Sequence, residues 1–90
     1  MFKNKFKGKN NICGENIYYL RKNNSVKMSQ RILAEKMQLL GIDLDKNAVQ
    51  RIESGQRFVT DIELMAISKI FNISCDELLT ENFGKNQKTK

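Results

Sequence analysis

The sequence predicts an all-α domain, a compact bundle of five short helices, on two observations. Apolar residues recur at helical spacings through the middle of the chain. Four successive segments also open on the same local signal, a capping residue with one apolar neighbour just before it and another four residues inside. The pairs are Met28 and Leu33 around Ser29, Leu44 and Val49 around Asp45, Val59 and Leu64 around Thr60, and Ile73 and Leu78 around Ser74. A capping oxygen accepts from a free amide of the first turn, and the apolar pair fixes the angle at which the chain enters. Thr60 with Glu63 and Ser74 with Glu77 have the spacing of full capping boxes. Each cap contributes ~1 kcal/mol, a sizeable share of the stability of so small a domain.

Taken in order, residues 1–11 are rich in Lys and Asn and lack any period, so they are expected to form a flexible basic arm. Residues 12–83 form the folded domain and 84–90 a flexible polar tail. The first helix carries Cys13, Ile17 and Leu20 inward and runs to about Lys22, where Asn23, Asn24 and Ser25 break it. The second starts at Ser29, turns Leu33, Met37 and Leu40 inward, and stops at Gly41. After a turn through Ile42, Asp43 and Leu44, Asp45 caps the third helix. The fourth puts Leu64, Ile67, Ser68 and Phe71 into the core. Its second stripe, Ile62, Ala66 and Ile70, has two uses: burial beneath the fifth helix and the C-terminal residues, or a homodimer surface formed by Ile62, Ile70, Leu79 and Phe83.

Composition narrows the class. Of 90 residues 40% are hydrophobic, with no Pro and five Gly, which suits one small globular domain and no second core. No apolar run approaches the ~18 residues of a membrane span. The basic first residues lead into no signal-peptide core, so a cytoplasmic protein is expected. Cys13 and Cys75 read as reduced, buried thiols, with a disulfide as the alternative. The net charge of +6 is carried by the ends: Lys3, Lys5, Lys7 and Lys9 lie in the arm, and Lys85, Lys88 and Lys90 in the tail. The central part is close to neutral, so attraction to a polyanion depends on how charge is arranged on its surface.

That arrangement is clearest between Asp45 and Gly55. On a helix, Ala48, Val49 and Ile52 cluster on one side and Lys46, Asn47, Gln50, Arg51 and Ser54 on the other. The outer set holds the side-chain types that read base edges: Arg or Lys on guanine, Asn or Gln on adenine. The bland alternative is a solvated surface helix. Catalysis is rejected, because the chain has no His, no Gly-rich phosphate loop and no metal-spaced ligand cluster. Asp43 and Asp45 are close acids in a turn, and capping accounts for Asp45. No cofactor, metal or small-molecule ligand is indicated.

In order along the chain, GENIYYLR (14–21), SQRILAEKM (29–37), NAVQRIESGQR (47–57) and FNISCDELL (71–79) resemble the helix-turn-helix domain of the lambda-repressor-like superfamily. That is the type found in phage Cro and repressor proteins and in xenobiotic-response-element regulators. The similarity spans roughly residues 13 to 80. Two departures stand out: about two extra residues between Arg21 and Ser29, and about five between Met37 and Asp45. The second set reads as an added turn on the second helix (Gln38 to Leu40) and a wider loop, with Leu40, Leu44 and Val49 still packing together. It leaves the angle of the third helix open.

The resemblance implies that the third helix lies in the major groove of double-stranded DNA while the second crosses the backbone. Lys46, Asn47 and Arg51 then reach base edges, and Gln50 a base or a phosphate. Ser29, Gln30 and Arg31, at the amino end of the second helix, would meet phosphate, as would Gln56, Arg57 and Thr60 beyond the third. Gln30 has bracing a recognition residue as its other use. Free amides at a helix start favour an anion independently of any family. Arg21 and Glu53 match a pair that bridges the first and third helices. The function expected is that of a sequence-specific transcriptional regulator, a small repressor binding an operator as a homodimer, with the Lys-rich arm as a further phosphate contact. The competing expectation is a protein-interaction module, such as an antitoxin-like partner that keeps the fold. Its mark would be a degraded recognition face, and none of the outward residues named here is acidic.

Overall fold

The computed structural model describes residues 5–81. Within them the chain forms α1 (Gly14–Lys22), α2 (Gln30–Leu39), α3 (Lys46–Glu53), α4 (Asp61–Phe71) and α5 (Cys75–Leu78). The domain is all-α, and four of the five helices start where their caps predict. Ser29, Asp45, Thr60 and Ser74 accept from the amides of Ile32, Ala48, Glu63 and Glu77, and the last two complete capping boxes. Helix ends are equally defined. Gly41, Gly55 and Asn72 take left-handed φ values of 85°, 85° and 55° just beyond α2, α3 and α4. At α3 this turns the chain back so that the Gly55 amide reaches the Ile52 carbonyl (3.0 Å) and the Gln56 amide that of Arg51 (2.9 Å).

The core runs through the middle of this bundle. Cys13, Ile17, Leu33, Met37, Leu44, Val49, Ile52, Ala66, Ile67 and Leu78 are all buried within it. Helix α3 packs against both α2 and α1, while α4 packs against α2 and α5. Asn16, buried on α1, donates to the carbonyls of Leu78 (2.7 Å) and Thr80 (2.9 Å) and ties the end of α5 back to the first helix.

Three expectations are corrected. Leu40 is 48% exposed, because Gly41 ends α2 before the inward stripe can reach it, and Leu44 fills the position instead. On α4, Ala66 is core whereas Ile62 is 61% exposed, and Glu63 is buried beside Ala66 and Ile67. Cys13 is buried and Cys75 only partly so, and both are free thiols. Of the expected arm, 1–11, residues 5–11 are described and residues 1–4 lie outside the described residues. Phe6 and Lys9 exchange backbone hydrogen bonds across Lys7 and Gly8, whose φ values of 53° and 82° have the hand of a two-residue hairpin turn. Phe83 and the tail 84–90 lie outside the described residues.

The longer connection between α2 and α3 is pinned. Gln38 donates its side-chain amide to the Leu44 carbonyl at 2.7 Å, and the Ile42 amide reaches Met37 at 3.0 Å. Leu44 is thereby held in the core immediately before the cap of α3.

Candidate nucleic-acid interface

The candidate site is built on the division of α3 into two faces. Ala48, Val49 and Ile52 are at most 6% exposed, so burial fixes the helix's roll about its own axis. Lys46, Asn47, Gln50, Arg51 and Ser54 are therefore turned outward together, all exposed. Ser54 is partly occupied, its hydroxyl donating to the Arg51 carbonyl at 3.2 Å.

An ion pair ties α3 to α1. Arg21 of α1 holds Glu53 through two hydrogen bonds, Nε to Oε2 at 2.7 Å and Nη2 to Oε1 at 2.9 Å. The side chains are 8% and 5% exposed. Such a fork is satisfied by parallel donors of fixed geometry, which Lys could not supply. Arg21 also donates to the Met28 carbonyl at 3.2 Å, and Gln30 donates to Glu53 Oε1 at 3.0 Å. Donating to the Glu53 carboxylate raises the Arg21 pKa against the opposing effect of burial, so the guanidinium stays charged. Gln30 thus braces α3 through Glu53, rather than through a recognition residue.

Beside the outward face of α3 lies a shallow cleft where the end of α1 and the starts of α2 and α3 converge. Ser29, Gln30, Arg31 and Lys46 line it together with Tyr18, Arg21 and Lys22. None of these is acidic. Tyr18 and Lys22 were not among the sequence candidates. They stand one helical turn apart at the end of α1, with the cations of Arg21 and Lys22 5.6 and 5.7 Å from the Tyr18 ring centre. Only the convergence of α1 with α2 places them next to Arg31.

Beyond α3 the candidates are more committed. Gln56 is exposed, with its backbone amide closing the end of α3. Arg57 donates to both carboxylate oxygens of Glu63, at 2.9 and 3.1 Å, and to the Phe58 carbonyl at 2.9 Å. Thr60 and Glu63 form the capping box of α4. Burial pushes the Glu63 carboxyl up, but Arg57 and the Thr60 amide outweigh it and leave its pKa below the ordinary 4.5. Arg57 and Thr60 are therefore parts of the start of α4. The amino-terminal lysines are engaged as well: Lys5 with Asn10 (3.0 Å), Lys7 with Glu81, and Lys9 with Glu15 (2.8 Å).

Among the described residues no group of His, Cys, Asp and Glu could hold a metal ion, and no helix is long and apolar enough to cross a membrane. A capped helix at the edge of a positive cleft, its polar face outward and its apolar face in the core, defines a helix-turn-helix domain made of α2 and α3. The sequence model of the helix-turn-helix family matches residues 17–78, most of the chain. The chain belongs to that family, in its lambda-repressor-like branch of Cro and repressor type. Membership implies DNA binding in the service of transcriptional regulation, and the family is typically non-enzymatic. Among curated proteins and among solved structures, no significant match to the chain was found.

Proposed function

We propose that this chain is a sequence-specific, double-stranded-DNA-binding transcriptional regulator, a small repressor of the phage or mobile-element kind that works in the cytoplasm. The single observation supporting it is the exposed row Lys46, Asn47, Gln50 and Arg51 on a helix whose opposite face is buried. Asn47 is suited to adenine and Arg51 to guanine, each good pair adding ~1–3 kcal/mol of discrimination. Ser29, Arg31 and Gln56 supply phosphate contacts. Gln30 contributes to them while bracing Glu53, and Arg57 and Thr60 do so only at the margin, given their hold on α4. Lys22 and Tyr18 extend the phosphate-binding edge.

The domain acts as a homodimer, its copies joined through Ile62 and Leu79, which are 61% and 43% exposed, and the half-buried Ile70. Phe83, the fourth residue of that surface, lies outside the described residues.

Selection of bound duplexes from a random pool tests both parts. A palindrome with half-sites about one helical turn (~34 Å) apart is expected. A single half-site would leave the monomer as the binding form. Replacing Asn47 and Arg51 together by Ala should abolish preference for the selected duplex over scrambled DNA without unfolding the protein. A parent chain with no preference for any duplex would end the proposal.

A further inference from the structure

The segment Lys5–Asn11 is short, basic and hydrogen-bonded to the far end of the recognition helix. Asn11 lies at the centre of these bonds. Its Nδ2 donates to the carbonyls of Ile52 (3.0 Å) and Arg57 (2.8 Å), and its Oδ1 accepts from the Gly14 amide (2.8 Å) that opens α1. Asn10 adds its backbone amide to the Gly55 carbonyl and its side-chain amide to the Gln56 carbonyl, both at 2.8 Å. Four carbonyls in and after the last turn of α3 thus find their donors in two adjacent residues more than forty positions earlier. The hairpin turn ahead of them is fastened by its own lysines to Asn10, Glu15 and Glu81.

We propose that residues 5–11 are an internal strap that sets the direction of α3, and that Asn11 is its positioning residue. This rests on the reading of α3 as the helix that enters the groove. Helix α3 has eight residues and is ~12 Å long, so a small displacement of its carboxyl end is carried directly to Arg51 in the last turn. Base-edge hydrogen bonds tolerate little displacement, because they require a productive geometry within ~0.5 Å. The lysines of this segment face partners within the chain, which assigns them to holding the strap rather than to phosphate.

The test uses the full chain and Asn11→Asp, which keeps the oxygen that caps Gly14 and removes the donor to Ile52 and Arg57. The readouts are the ratio of affinities for the selected and the scrambled duplex, and amide exchange at Gly55 and Gln56 in the DNA-free protein. The ratio cancels any uniform loss from the added negative charge. It should fall about tenfold, the worth of a single base-edge contact, and both amides should exchange faster. Asn10→Ala, which spares the cap of α1, should move the same readouts less. It decides the matter if Asn11→Asp does not fold. An unchanged ratio beside unchanged exchange overturns the strap. Replacing Lys5, Lys7 and Lys9 by Gln should leave the slope of log affinity against log salt as it was, and a slope shallower by ~2 or more would make the segment a phosphate arm instead. If the parent prefers no duplex, the reading of α3 fails on its own. The exchange rates and the chemical shifts of Asn47 and Arg51 then judge the strap, and unmoved values overturn it.

Discussion

Glu53 is the residue on which the geometry of the site turns. It is an acid at the end of a helix whose outward face carries Lys46, Asn47, Gln50 and Arg51, and its carboxylate is taken up by Arg21 and Gln30. Both members of the pair are nearly out of water, so removing one strands the other. Glu53→Ala should therefore cost ~3–5 kcal/mol, a drop of more than about 10 °C in Tm for a domain of this size. Circular dichroism melting measures it, and an unchanged midpoint would show that the pair orients nothing. The pairing of Arg21 with Glu53 was legible through the family resemblance. The donation from Gln30 was not, because it depends on how close the start of α2 comes to the end of α3. Tyr18 and Lys22 were missed for a similar reason: on α1 alone they are ordinary surface residues.

At the level of elements, four of the five helix starts were legible because a cap is a local event, written within five residues of sequence. Ends and faces were harder. Leu40 fits the inward stripe of α2 only if the helix continues, and the left-handed Gly41 stops it one residue short. Glu63 looks like a surface acid until Arg57 is seen beside it. The strap was hidden by its composition, since a Lys- and Asn-rich segment carries the signature of disorder while its partners lie far along the chain. Another consequence of close approach appears where α1 meets α3. A β-carbon on Gly14 would overlap the Ile52 carbonyl oxygen and crowd Asn11 Oδ1 at 2.8 Å. Helix propensity alone makes Ala equal to or better than Gly in a first turn. Gly14→Ala should nonetheless destabilise by ~1–3 kcal/mol, because backbone rather than a flexible side chain must yield. The midpoint of urea unfolding reads this, and a stabilised variant would mean that α1 and α3 can part freely.

Across the whole molecule, the fold class and the order of elements follow from caps and periodicity, whereas the way distant segments are fastened together does not. Acid stability depends on one such fastening. The Glu63 pKa is lower in the folded chain than its ordinary 4.5, so its contribution is fully present above that value and is lost as the pH falls through the folded one. Tm should hold steady from neutrality to about pH 5 and fall below about pH 4. In Glu63→Gln the neutral-pH Tm should be lower and the acid decline shallower, and a parallel decline in both proteins would assign the acid sensitivity elsewhere. Asn16 imposes a different kind of order. Its buried amide finds its acceptors at Leu78 and Thr80, 62 and 64 residues further along. During synthesis the first helix therefore cannot complete its hydrogen bonds until nearly all of the described chain has left the ribosome. A nascent fragment ending before α5 would hold the whole of α3 and still leave the Asn16 amide to water, neither of its acceptors yet made.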